Sequence, residues 1–224
     1  MINDDLYIEQ ILIGPMENFI YLLGSKKTRE VALIDPAWDV EALLNHIHAR
    51  DLKLSCVLVT HCHPDHVGGS MGGHSIEGLA EVLEKEPVKT FVNKHEVEGL
   101  KKVTGLSNID INIVDSGDHF KIGDNDIEFI HTPGHTPGSQ CFKVNNSLIS
   151  GDTLFVQGCG RVDLPGANSE DMFHSLRKLS KLPDETIIYP GHNYGPKESA
   201  TLQEVKKINS YLRIKEMDLW NQIM

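Results

Sequence analysis

The sequence has four cysteines in 224 residues, Cys56, Cys62, Cys141 and Cys159, but no C-x-x-C pair. That absence excludes a zinc ribbon and a thioredoxin-like redox motif, and leaves Cys56 and Cys141 as small, semi-buried thiols of a reduced protein. Basic charge is scarce as well: 21 Lys and Arg against 32 Asp and Glu give a formal net charge of -11. A phosphate backbone would meet an unfavourable field, so nucleic acid is not the expected partner. No apolar run approaches the roughly 20 residues that cross a bilayer. The opening M-I-N-D-D-L-Y-I-E-Q has neither the basic nor the apolar region of a secretory signal. These absences predict a cytoplasmic protein with no membrane partner. No linker or low-complexity stretch interrupts the chain, so residues 1–224 read as one domain, and 40% hydrophobic residues suffice for a packed core.

What is present begins with short apolar runs punctuated by Gly, Pro and Asp. Y-I-E-Q-I-L-I-G (7–14), F-I-Y-L-L-G (19–24) and V-A-L-I-D-P (31–36) predict strands, and L-S-C-V-L-V-T (54–60) predicts another. Between them, Val40, Leu43, Leu44 and Ile47 recur at helical spacing over 39–50. Helices are expected at 76–85 and 95–102, with a strand at 89–93 between them. I-N-I-V, H-F-K-I, I-E-F-I-H, Q-C-F-K-V and S-L-I-S then predict five strands, followed by a helix at 169–182, the strand T-I-I-Y (186–189) and a last helix at 199–212. Strand-rich blocks each followed by helices, without strict βαβ alternation, suit two mixed sheets packed together with helices outside, an α/β (α+β) architecture.

Residues 60–66 read T-H-C-H-P-D-H. Alternate side chains of an extended segment share a side, so His61 and His63 can face one centre while Cys62 faces away. Pro64 stops simple ladder continuation, and Asp65 and His66 then belong to a turn that can face a second point. Three further strand-to-loop junctions carry His135 in T-P-G-H-T-P-G-S, Asp152 in S-G-D-T-L-F and His192 in Y-P-G-H-N-Y-G. Imidazoles and carboxylates without an obligatory thiolate suit Zn, Fe or Mn in an open, catalytic site. Seven such donors exceed one tetrahedral ion and suffice for two that share a carboxylate. His46, His48, His74, His95, His119, His131 and His174 lie outside these motifs and read as structural or surface histidines.

The ordered set T-H-C-H-P-D-H, T-P-G-H-T-P-G-S, G-D-T-L-F and P-G-H-N-Y-G resembles the metallo-β-lactamase-fold superfamily, and within it the glyoxalase II-like hydrolases, from about Tyr7 to Tyr194. The resemblance implies a four-layer αββα sandwich with two divalent ions, zinc first and iron or manganese next, at one sheet edge. One ion would take His61, His63 and His135, the other Asp65, His66 and His192, and Asp152 would bridge them. Asp65 is expected to be catalytic as well as a ligand. A metal-bridging hydroxide attacking an acyl thioester is the implied chemistry, because a thiolate leaves with little acid assistance.

G-C-G-R-V-D-L-P-G (158–166) resembles the substrate-contacting segment of these hydrolases, which makes Arg161 a candidate for a carboxylate or similar anion on the thiol carrier. The competing expectation is a surface pair with Asp163. Tyr194 is a second candidate substrate residue at the rim. Glyoxalase II proper continues into a longer basic helical segment for glutathione, whereas this sequence ends in I-K-E-M-D-L-W-N-Q-I-M, so coenzyme A and carrier-protein thioesters stay open beside glutathione. T-H-C-H-x-D-H and G-C-G-R also resemble persulfide dioxygenases, which implies as an alternative a single Fe(II) on His61, His135 and Asp152. The continuation V-D-L-P-G departs from the T-D-F of that group. A nuclease of the same fold is a third reading, and the acidic charge opposes it.

Overall fold

The computed structural model describes residues 5–106 and 111–224. Its first sheet contains β1 (Leu6–Ile13), β2 (Asn18–Ser25), β3 (Glu30–Ile34) and β4 (Lys53–Leu58). A hairpin of β5 (Gly69–Met71) and β6 (His74–Ile76) intervenes before β7 (Lys89–Asn93) and β8 (Ile111–Val114) complete that sheet in the order β1-β2-β3-β4-β7-β8. The second sheet holds β9 (His119–Ile122), β10 (Asn125–His131), β11 (Gln140–Val144), β12 (Ser147–Gly151), β13 (Ile187–Pro190) and β14 (Ala200–Thr201), in the order β14-β13-β12-β11-β10-β9.

Strand β2 shows why the layers form. It is buried at every position, with Phe19, Tyr21 and Leu23 in one apolar cluster and Ile20 and Leu22 in another. Because side chains alternate, a strand covered on both faces must be apolar throughout. The cluster around Phe19 and Tyr21 also contains Phe129, Phe142 and Ile149, and so lies between the two sheets. The other faces are covered by helices. Val40, Leu43 and Ile47 of α1 (Val40–Ala49), Leu79 and Val82 of α3 (Leu79–Lys85), and Val97 and Leu100 of α4 (Val97–Thr104) pack on the first sheet. Met172 and Leu176 of α5 (Ser169–Leu179), Val205 of α6 (Leu202–Ile208), Leu212 of α7 (Ser210–Arg213) and Trp220 of α8 (Met217–Ile223) pack on the second. The result is the expected αββα sandwich. A one-turn helix, α2 (Pro64–Val67), follows β4.

Two expected helices change and one is added, each for a local reason. The helix expected over 76–85 begins only at Leu79, because Ile76 pairs with Gly69 at the end of β6. The helix expected over 199–212 is divided. Ala200 and Thr201 pair with β13, and the Thr201 side chain then caps α6 in a capping box with Glu204. At Asn209 the side chain donates to the carbonyls of Phe155 (3.1 Å) and Gly158 (2.8 Å) and accepts from Tyr211 N (3.1 Å), drawing the chain out of the helix. The third difference is α8, which was not anticipated; it forms around Trp220, whose Nε1 donates to Ser169 O at 2.9 Å.

This topology places the loops. Strands β10 and β12 run the same way because β11 lies antiparallel between them, and β13 is parallel to β12. Their carboxyl ends therefore share an edge. The first sheet meets that edge through backbone bonds from Gln140 N to Thr60 O (2.9 Å) and from Phe19 N to Gly191 O (2.8 Å). Loops after β4, β10, β12 and β13 thus converge, as ligand-bearing loops do at the carboxyl ends of strands.

Candidate metal centre

The loop after β4 turns sharply because Asp35 holds it. Asp35 Oδ1 accepts from Thr60 N at 2.7 Å, and the peptide immediately following presents His61. Pro64 occupies the first helical position of α2, where its missing N–H costs nothing. A one-turn helix thus replaces the expected simple turn, and it turns Asp65 and His66 inward, both buried.

Among the described residues three groups of donors result, two built wholly from the expected ligands and one of Asp35 with His61 and His66. His61, His63 and His135 bring ligand atoms within 4.8 Å of one another, with His63 Nδ1 3.0 Å from His135 Nε2. Asp65, His66 and His192 form the second group. There His66 Nε2 lies 3.1 Å from His192 Nε2, and His192 Nε2 lies 3.4 Å from Asp65 Oδ2. Asp152 reaches both: its Oδ2 is 3.5 Å from His135 Nε2 and 3.3 Å from His192 Nε2, while Oδ1 is 3.4 Å from His66 Nε2. All seven residues expected as ligands therefore converge.

The far side of each ring sets its orientation. His66 Nδ1 meets Asp35 Oδ2 (3.1 Å), His135 Nδ1 meets Arg161 O (2.8 Å), and His192 Nδ1 meets Met16 O (2.9 Å). These partners only accept, so each Nδ1 carries the proton and each Nε2 points a lone pair or a second proton into the centre. His61 Nδ1 lies 3.0 Å from Thr60 Oγ1, whose hydroxyl donates to Asp35 Oδ2, and His61 Nε2 is buried without a partner. Two Nε2 lone pairs 3 Å apart repel unless a cation or a proton lies between them. Spacings of 3.0–3.5 Å also fit donors at tetrahedral angles around an ion with Zn–N near 2.0–2.1 Å, for which the edge is about 3.3 Å. The residues present fit a pair of divalent ions.

Electrostatics divide the two groups. Burial pushes His61 well below the usual imidazole range, and the neighbouring imidazoles push it the same way. His63 falls to about 4, through burial first and His135 next. Burial opposes charge on His66 and His192 too, but the carboxylates override it. Asp65 and Asp152 raise His66 to about 9, and Asp152 leads in raising His192 to about 10. Burial would raise Asp65, yet His66 and His192 hold it far below the carboxylate range. The second group, with Asp65 its own carboxylate and Asp152 beside it, is thus the strongest attractor of positive charge in the centre.

Close approach at two points requires glycine. A Cβ on Gly191 would stand 2.2 Å from Asp152 Oδ1, and one on Gly160 would stand 2.0 Å from Asp152 O. Supporting residues that sequence reasoning missed are Asp35, Asn18 and Glu96. Asn18 Nδ2 donates to Asp65 Oδ2 at 3.1 Å while its Oδ1 accepts from Trp38 Nε1. Glu96, 2% exposed, accepts from Cys62 N and from Gly138 N, each at 2.8 Å, tying the His61–His63 segment to the His135 loop. Asp35 carried a readable signal, since it ends a strand at the same edge as His61; Asn18 and Glu96 carried none.

The remaining candidates sit on a cleft of about 610 Å³ that opens onto the donors. The Arg161 side chain is exposed and pairs bidentately with Asp163 at 2.9 and 2.8 Å, while its carbonyl orients His135. Tyr194 is half exposed and stacks flat on His192, ring centroids 4.5 Å apart. Cys62 turns away from the donors toward Gly99 of α4, as its position in the alternation requires. Of the other histidines, His46 pairs with Glu9, His119 with Asp126 and His131 with Pro137 O.

Fold and donor set define a metal-dependent enzyme built on an αββα sandwich. Residues 13–192 match the family model of the metallo-beta-lactamase superfamily, and the chain belongs to that superfamily. Among curated relatives, a probable polyketide biosynthesis zinc-dependent hydrolase, BaeB of Bacillus velezensis, is 28% identical over 202 residues, covering 90% of this chain and 84% of the relative. A hydroxyacylglutathione hydrolase of Vibrio cholerae is 33% identical over 198 residues, covering 88% and 70%. The human mitochondrial persulfide dioxygenase ETHE1 is 32% identical over 204 residues, covering 88% and 72%.

Proposed function

We propose that the protein is a binuclear metallohydrolase that cleaves acyl thioesters, whether small-molecule or carrier-bound, and acts in the cytoplasm. The observation that carries this reading is the position of Asp152, within 3.5 Å of donors from both groups, beside a second group whose three donors converge as closely as those of the first. His61, His63 and His135 would hold one ion, Asp65, His66 and His192 the other, with Asp152 shared. Zinc suits this set, as in the BaeB relative's name, and iron and manganese suit it too.

When bound, the ions lower the pKa of a coordinated water to about 7 and polarise the acyl carbonyl. Asp65, itself one of the second group's donors and fixed by the Asn18 amide, would also accept a proton during attack. Phe155 and Tyr194 flank His192 and keep bulk water off that side. The leaving group is a thiolate, which departs without a dedicated general acid. Hydrolysis of hydroxyacylglutathione, the activity in the Vibrio relative's name, is hydrolysis of such a thioester. Among the described residues no helix is long and apolar enough to cross a membrane, and the net charge of -11 opposes nucleic acid as a partner.

The similarity to a persulfide dioxygenase supports a competing reading, a single iron on His61, His135 and Asp152. Titrating metal-free protein with zinc while following hydrolysis of an S-acyl-N-acetylcysteamine separates the two. Activity that saturates at two equivalents is expected. Absence of thioester turnover, with oxygen uptake on glutathione persulfide after loading one iron, would overturn the hydrolase reading.

A further inference from the structure

The cleft beside the donors is large enough for more than a reacting carbonyl. At about 610 Å³ it lies in the range of pockets that enclose a small organic ligand. Its wall is apolar. Met16 comes from the turn between β1 and β2, Met71 from the β5–β6 hairpin, Phe155 from the loop after β12, and Leu164 with Pro165 from the segment that follows Arg161. These side chains come from four separate parts of the chain and surround one opening onto His135, Asp152 and His192.

Charge is the second observation. Outside the seven metal-directed residues, Arg161 is the one charged side chain on this lining among the described residues, and its guanidinium pairs with Asp163 through Nε and Nη2. The pair presents no net charge. A cleft reading an anionic acyl group or an anionic carrier tail would hold a cation free of a carboxylate partner; the one cation on this lining is already offset by Asp163.

We infer that the substrate is the thioester of an uncharged, apolar acyl group, whose chain lies along Met16, Met71, Phe155 and Leu164 while the carbonyl faces the donors. This deepens the thioester reading and rests on it. Each methylene moved from water onto such a wall contributes about 0.8 kcal/mol, which is about fourfold in kcat/KM when burial is complete. The anionic portion of the carrier lies outside the cleft and contributes little.

Two measurements on the metal-loaded protein test the inference. In the first, kcat/KM is compared for acetyl, butyryl, hexanoyl and succinyl thioesters of N-acetylcysteamine. A rise of roughly tenfold from acetyl to butyryl, a further rise to hexanoyl and rejection of succinyl are expected, and Met71→Glu is expected to lower the hexanoyl-to-acetyl ratio at least fivefold. In the second, calorimetry follows binding of acetate, butyrate and hexanoate, with affinity climbing along the series. Hydrolysis with a flat or falling chain-length series, or preference for succinyl, would overturn the inference while leaving the reaction intact. Carboxylate affinity that climbs with chain length in a protein that hydrolyses no thioester would sustain the apolar cleft and remove the reaction; affinity that stays flat would overturn the cleft assignment.

Discussion

Replacing Asp35 by Asn is expected to weaken the metal position of His66 most and that of His61 less, because Asp35 touches His66 directly and reaches His61 only through Thr60. The carboxylate is 2% exposed and accepts three bonds, from Thr60 N at 2.7 Å through Oδ1, and from Thr60 Oγ1 and His66 Nδ1 (3.1 Å) through Oδ2. An amide cannot reproduce them. With its oxygen in the Oδ2 place, its NH2 faces the Thr60 N–H. With the NH2 there instead, His66 Nδ1 must become an acceptor, and the ring proton moves to Nε2, where it blocks the inner face. Loss of such an orienting partner costs about 10–100-fold in metal affinity, or roughly 1.4–2.7 kcal/mol. The mismatched buried donor adds about 1–3 kcal/mol of lost stability. Chelator competition with cobalt as a visible probe reads the two positions separately. Weakening of the His66 position by at least tenfold, with a smaller loss at the His61, His63 and His135 position, which Asp35 reaches through Thr60, is the expected outcome. Equal loss at both positions, or no loss at either, would refute the assignment of Asp35 to His66.

Glu96→Ala should do the converse, because Glu96 holds the peptide between His61 and His63 and the loop bearing His135. Two buried N–H groups lose their acceptor, so about 2–6 kcal/mol of stability and the first metal position should suffer, with partial rescue in Glu96→Gln; chemical denaturation and the same competition measure both. Proton release should accompany metal uptake. With His66 raised to about 9 and His192 to about 10, both hold an extra proton at pH 7.5 in the metal-free protein and must shed it, and a coordinated water with a pKa of about 7 sheds most of another, so calorimetry in buffers of different ionisation enthalpy should register between two and three protons at pH 7.5 and fewer as pH rises through 9 and 10. The same raised values stabilise the metal-free fold fully below about pH 6.5 and lose that contribution as pH rises through 9 and 10, so its melting temperature should fall over that interval; a constant value would contradict the shifts. Trp220→Ala should cost about 3–5 kcal/mol, since the indole is fully buried between Phe173 and Tyr211, yet leave metal content unchanged.

Most of the architecture was legible because strands covered on both faces leave continuous apolar runs, as in F-I-Y-L-L. The ligand set was legible because each of its members follows a strand and sits among turn residues. What escaped was either short or long-range. The β5–β6 hairpin has three-residue strands, too brief for a periodic signal. The division at Asn209 depends on carbonyls of Phe155 and Gly158, more than 50 residues earlier in the chain. Glu96 sits at the start of α4 as an ordinary surface-type residue, and only the folded chain brings Cys62 and Gly138 to its carboxylate. For Arg161 the sequence left two expectations, an anion contact and a pair with Asp163; the pair is present, and what the motif did not show is that the backbone carbonyl orients His135.

The central claim is that both donor groups bind an ion and share Asp152. Anomalous diffraction at the zinc edge from crystals of the zinc-loaded protein tests it directly. The account predicts two peaks of comparable height, one among His61, His63 and His135, the other among Asp65, His66 and His192, with Asp152 between them. A single peak at the first group, with the second still closed by hydrogen bonds among its own side chains, would contradict it.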